Sequence, residues 1–183
     1  MKKIKPIQLT TCAIFTALSA VLSQIIIPIN LVPINLVHIS ILTAAGLLGM
    51  KYGTISQAAF VLLGVVGAPV FSNFSGGLSK LFGPTGGFIL GYIACAFVAG
   101  FLVEKYGKSL RSIFLTMLPG WIMTYLLGVV WYMYVVQVNA AAALSACVLP
   151  FLPGDIAKTV LSAILVYRLR PVLRDKLQTV KAS

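Results

Sequence analysis

The chain has 183 residues, of which 60% are hydrophobic and only 9% charged, with a mean hydropathy of +1.03. Soluble domains sit near about 45–50% apolar and about 25% charged, so the composition excludes a soluble enzyme and places residues 1–183 in a membrane as a single domain. The net charge of +11 could suggest nucleic acid, but the basic residues fall mostly between apolar runs, which points to lipid headgroups instead.

A membrane helix needs about 20 mainly apolar residues. The first such run covers 9–29, follows Lys2, Lys3 and Lys5, and stops near Pro28. A basic start before an apolar run can open a signal peptide, but the run continues to Ile29 and more follow, which favours an uncleaved first span. Within it, Ala13 and Ala17, continued by Ala20, form a small-xxx-small pattern. Such a face serves packing inside the bundle or docking onto another membrane subunit. Asn30 and Asn35 flank Pro33 in a short link and can cap helices. The second run, 36–50, is short; Lys51-Tyr52-Gly53 reads as a tight turn, and the third run covers 54–71. A loop rich in Gly and Ser spans 72–84. The fourth run covers 85–103, a charged link 104–111, and the fifth run 112–136. The sixth covers 140–167, with interruptions expected at Pro150 and Pro153-Gly154.

Six spans put both termini on one side. On that count the N-terminal arm, the 2–3 link, the 4–5 link and the tail share a side and carry twelve of the fourteen Lys and Arg. The opposite loops carry only Lys80, and Lys158 lies within a span. Positive loops stay inside, so the expectation is an all-α membrane protein with six transmembrane helices and both termini cytoplasmic.

The most informative residues are Asp155 and Lys158, three apart in the run Phe151 to Lys158. Spacing i, i+3 puts both on one helix face. Counted from Arg168, they lie roughly 20 Å and 15 Å into the membrane at 1.5 Å per residue. Ionisable groups at that depth face a bundle interior or wet cavity and usually mark a substrate or ion path; a structural ion pair is the alternative. Gly154 would let a backbone come close, and a helix break frees polar groups to face a ligand. Gly83-Pro84-Thr85-Gly86-Gly87 opens the fourth run with Thr85 as an N-cap candidate, and the free N–H groups of a helix start can bind a carboxylate; a plain turn and cap is the simpler account. Ser72, Asn73 and Ser75 offer polar contacts from the outer loop, or are simply solvated. Trp121, Trp131, Tyr132 and Tyr134 could line a pocket, although bundle packing or interface anchoring is the commoner role.

Other chemistry finds little support. The single histidine, His38, has no second metal ligand beside it, and Cys12, Cys95 and Cys147 show no metal spacing. No GxxxxGK[ST] is present, so the chain has no P-loop for ATP hydrolysis. HExxH and GxSxG are absent too, and Asp155 is the one acid placed in the membrane, short of the pair an intramembrane aspartyl protease needs. Binding or transport is the default expectation, not catalysis.

Several runs carry a family resemblance. Gly67-Ala68-Pro69-Val70-Phe71, Gly76-Gly77, Leu81-Phe82-Gly83-Pro84-Thr85-Gly86-Gly87-Phe88 and Phe151-Leu152-Pro153-Gly154-Asp155-Ile156-Ala157-Lys158 resemble the BioY family, as do Val32-Pro33-Ile34 and Lys51-Tyr52-Gly53. These are the biotin-capturing S components of energy-coupling-factor (ECF) vitamin transporters. The resemblance implies a six-helix S-component bundle and high-affinity capture of biotin from outside. It also implies a transmembrane T protein and two cytosolic ATPases as partners, and docking of the T protein on Ala13 and Ala17. Biotin enters as transported ligand, with no cofactor or metal. The implied ligand contacts are Asp155 and Lys158, with Asn73, the helix start at Thr85, Gly86, Gly87 and Phe88, and Gly154; the outer loop acts as a lid. The chain departs from the family pattern at Phe88, where Tyr is frequent, at Val37, where Gln is frequent, and at Ala68, where Leu is frequent. An S component for another vitamin, a small ion or proton conductor, and a membrane enzyme are the rival readings.

Overall fold

The computed structural model describes residues 6–27 and 34–182, with side chains described for 6–26 and 35–172. Pro28, Asn30, Val32 and Pro33 of the first link therefore lie outside the described residues. Helix α1 spans Pro6–Gln24. A two-residue antiparallel pair follows, β1 (Ile26–Ile27) against β2 (Ile34–Asn35), with Ile26 opposite Asn35. Then come α2 (Val37–Val65), α3 (Leu78–Phe82), α4 (Gly86–Tyr106), α5 (Leu110–Val136), α6 (Ala140–Cys147) and α7 (Leu152–Ala182). Helices α1, α4 and α5 are each long and apolar enough to cross a membrane, and α6 with α7 up to Val172 does so as a pair bent by 53°.

The stretches expected as the second and third spans form the two arms of one bent helix, α2. The chain breaks at Gly49, with φ 77° and ψ −175°, a region that L side chains avoid. Residues 51–53 are helical, so the turn expected at Lys51-Tyr52-Gly53 lies just before it instead. The arms close on each other: a Cβ on Gly53 would stand 2.9 Å from Ala45 Cα. The second arm ends at Val65 instead of near Phe71, because Gly67 takes φ 108° and Pro69 follows. Residues 72–84 are not all loop, since α3 forms within them.

The sixth expected span divides as Pro150 predicts, with α6 and α7 separated by residues 148–151. Pro153-Gly154 makes no second break. Pro153 sits in the first turn of α7, where a missing N–H is harmless. Nor does α7 stop near Tyr167; it runs to Ala182, since leaving an apolar stretch does not itself end a helix. Ser109 caps α5 by accepting from Ser112 N–H at 3.3 Å, and Asn139 caps α6 by accepting from Ala142 N–H at 2.9 Å.

The first arm of α2 is the centre of the bundle. Residues 40–46 are all buried, and Ile41, Leu42, Ala44 and Ala45 are fully so, beside Cys95, Ala96 and Ala99 of α4 and Met117 of α5. Large apolar side chains such as Leu115, Leu126, Val130 and Leu161 are exposed, as a lipid-facing surface requires. Cys12, Cys95 and Cys147 are free and buried.

Candidate functional site

Asp155 and Lys158 lie on the first two turns of α7, buried to 2% and 7% exposure. The kink before α7 leaves its N-terminal end free to face inward, with Asp155 in the first turn, where a carboxylate is favoured by the helix dipole. Lys158 Nζ pairs with Asp155 Oδ1, which takes no other hydrogen bond. Lys158 Nζ also donates to the Asn35 carbonyl at 3.0 Å, tying α7 to β2. Asp155 Oδ2 accepts from Trp121 Nε1 at 3.1 Å and from the Tyr125 hydroxyl, both on α5. Three groups from two other elements, β2 and α5, thus hold one buried ion pair. An ionised carboxylate offers about four acceptor positions and an ammonium three donors. Three acceptor positions and two donors are used, which leaves one of each by count, the spare acceptor on the buried Asp155 Oδ1.

Both charges line a cavity of about 160 Å³. Its apolar wall comes from Phe60, Phe71, Phe88, Ile89 and Phe151. Polar groups come from Asn35, His38, Tyr92, Tyr125, and Ser72, Asn73 and Ser75 of the loop. His38 stacks edge-on against Tyr92, with ring centroids 5.5 Å apart, and its Nε2 is buried without a partner. The exposed Lys80 of α3 also lines the cavity and brings a cation to its open side. A small ligand with an apolar body, a compact hydrogen-bonding head and an anionic end suits these walls.

Of the residues expected from the sequence, Asp155, Lys158, Asn73, Thr85 and Phe88 line this cavity, and so do Ser72 and Ser75. Thr85 stands at the N-cap of α4 but makes no side-chain cap. Gly86, Gly87 and Gly154 are not among the lining residues. The Gly86 N–H is bonded to the Gly83 carbonyl at 3.0 Å. A Cβ on Gly87 would run into Trp131 and stand 2.5 Å from the Leu127 carbonyl, so this glycine lets α4 pack on α5. Gly154 is exposed, with open space around it, and no close backbone approach needs it. Asn35 accepts from Val37 N–H at 3.3 Å, a helix-starting contact, and donates to Ser72 Oγ at 2.9 Å.

The aromatic expectation for α5 divides. Trp121 reaches Asp155, Trp131 Nε1 donates to the Gly83 carbonyl at 3.0 Å, Tyr132 is buried in packing, and Tyr134 is 74% exposed. None of the four lines the cavity. Tyr125, which sequence reasoning passed over, lines it and binds Asp155. Tyr92 and Phe60 were missed as well. Ala13 and Ala17 both lie on the exposed side of α1, opposite the buried face of Cys12, Phe15, Thr16, Ser19 and Ser23. Among the described residues no group of three metal-ligating side chains forms.

Known proteins match this chain over most of its length. The model of the BioY family matches residues 1–175. A biotin transporter BioY from Thermotoga maritima is 42% identical over 163 residues, covering 89% of this chain and 95% of that protein. A probable biotin transporter BioY from Pyrococcus horikoshii is 36% identical, covering 89% and 96%. Among solved structures, the crystal structure of the S-component for biotin from an ECF-type ABC transporter superposes with a TM-score of 0.86 at 32% identity, covering 92% of this chain and 95% of that one. With cavity, buried ion pair and these matches in agreement, the chain belongs to the BioY family.

Proposed function

We propose that the protein captures biotin from outside the cell and acts as the S component of an ECF-type importer. The observation that carries this reading is the buried Asp155–Lys158 pair, an acceptor beside a donor, in the lining of a partly apolar cavity. A cyclic urea presents an N–H beside a carbonyl, the complementary pair. The biotin bicycle would lie against Phe60, Phe71, Phe88 and Phe151, with His38 and Tyr92 at the head. Asn73 would close over the ligand, and Lys80 would meet the valerate carboxylate. The T protein would dock on the exposed face of Ala13 and Ala17, and two ATPase subunits would supply the energy. The chain would cross a prokaryotic cell membrane six times, counting each arm of α2, with both termini cytoplasmic. The distribution of basic residues supports this topology.

The test is equilibrium binding of labelled biotin to the purified chain in detergent, with riboflavin, thiamine and lipoate as competitors. Tight, stoichiometric binding displaced by biotin alone is expected. Absence of binding by demonstrably folded protein overturns the assignment. Displacement by another vitamin reassigns the ligand.

A further inference from the structure

Residues 71–75 form a tight turn across the cavity: Phe71 and Ser75 exchange backbone hydrogen bonds at 2.9 and 3.2 Å, and Phe71, Ser72, Asn73 and Ser75 line the cavity. Two consecutive residues of this turn, Asn73 (φ 61°) and Phe74 (φ 50°), are left-handed. A bulky side chain avoids that region, and such strain persists only where neighbours hold it. The holder is on α1. Gln24 Nε2 stands 3.1 Å from both the Val70 and Phe71 carbonyls, and Gln24 Oε1 accepts from Phe74 N–H at 2.8 Å. One carboxamide thus takes the backbone on both sides of the turn. The adjacent Ser23 hydroxyl donates to the Val70 carbonyl as well.

We propose that Gln24 is the positioning residue that latches the 71–75 turn over the ligand and sets how slowly the ligand leaves. Gln24 itself is not among the cavity-lining residues; it acts through Asn73, Ser72 and Phe71, which are. Because the latch is the last residue of α1, a shift of α1 along the bundle would pull three backbone bonds from the turn at once. The inference rests on the proposed ligand capture for its functional consequence and on geometry alone for the latch.

The experiment pairs two readouts on the purified full chain in nanodiscs. Biotin dissociation is followed by stopped-flow, and amide hydrogen exchange of residues 70–75 is measured without ligand. Gln24→Met keeps the shape and removes all three bonds. It is expected to raise the dissociation rate roughly tenfold, the scale of one or two lost hydrogen bonds, and to speed exchange at Phe74, with the thermal midpoint of the free protein unchanged. Gln24→Glu keeps the acceptor for Phe74 N–H and loses the two donors, so its exchange at Phe74 is expected to fall between wild type and Gln24→Met. Unchanged dissociation and exchange in Gln24→Met overturn the latch. So does a general loss of stability, or misfolding of both variants, which would make Gln24 a structural residue. If wild type fails to bind biotin, the ligand assignment falls while the exchange data still decide the latch.

Discussion

Two helix interfaces in this molecule are built on opposite principles. Between α4 and α5 the contact is mainly steric, with one hydrogen bond from the Thr124 hydroxyl to the Gly91 carbonyl at 3.2 Å. Gly91 lies against Thr124, where a Cβ would stand 2.9 Å from its Cα, and a Cβ on Gly120 would stand 2.7 Å from Ala99 Cβ and 2.8 Å from the Cys95 carbonyl. Gly87 meets Trp131, and Gly128 meets the Phe88 ring. Between α1 and α2 the contact is a seam of hydroxyls. Thr16 donates to the Ser56 carbonyl at 2.9 Å, Ser19 bonds Ser40 Oγ at 2.9 Å and Gln57 Oε1 at 3.1 Å, and Ser56 donates to the Cys12 carbonyl at 3.1 Å. In lipid, small residues that let backbones touch give tight, fixed packing, whereas single interhelical hydrogen bonds are worth only about 0.6 kcal/mol on average. The first interface suits a rigid wall. The second would let a helix shift at lower cost. The wall holds Tyr125 and Phe88 against the cavity and Trp121 on Asp155, and α1 presents Ala13 and Ala17 outward.

Four changes sharpen that contrast, beginning with the largest. Asp155→Asn removes the charge that the wall is built to hold and leaves Lys158 as a buried cation without its counter-ion. Breaking a buried pair in this way is worth about 3–5 kcal/mol, and titration with labelled biotin should show binding lost by a factor of a hundred or more. Unchanged affinity would refute the role given to this carboxylate. Gly87→Leu attacks the wall itself. Overpacking costs typically about 1–3 kcal/mol, and because the atoms it meets include the Leu127 carbonyl, relief by side-chain rotation is blocked. The expected readout is a clear drop in thermal midpoint and folded yield. Tyr125→Phe removes one donor to Asp155 and leaves Trp121 in place. Affinity should weaken roughly tenfold, as for one hydrogen bond to a charged group, with stability nearly kept. Thr16→Val breaks one bond of the seam, and a shift of only about 0.6 kcal/mol in unfolding is expected. A larger loss would mean that the α1 interface is as fixed as the α4–α5 one.

The sequence showed the site more clearly than the turns. Asp155 and Lys158 stood out because charges in an apolar run are rare, and Pro150 marked the bend before them. Gly49 did not stand out, since Gly46 and Gly53 flank it in an equally apolar setting and only backbone geometry distinguishes the three. Tyr125, Tyr92 and Phe60 were hidden for the same reason: an aromatic residue on an apolar helix looks alike whether it packs or lines a cavity. Gly86 and Gly87 carry the reverse ambiguity. A helix start rich in glycine suggests a ligand's approach, and here Gly86 is approached by the Leu81 carbonyl of α3 and Gly87 by Trp131 and Leu127 of α5. Gln24 carried no signal at all, because its work depends on a turn nearly fifty residues away.

The break at Gly49 has a consequence for distance. The first arm of α2 runs from Val37, next to the cavity residues Asn35 and His38, to the break at Gly49. At 1.5 Å per residue that arm is only about 18 Å long, against an apolar layer of about 30 Å. Under the proposed topology its far end is the cytoplasmic one. On the proposed function, a ligand seated beside Asn35 and His38 would have crossed a good part of the bilayer before the ATPase subunits act. What would remain beneath it is a few helical turns of protein, so an energised step would have a short stroke to complete.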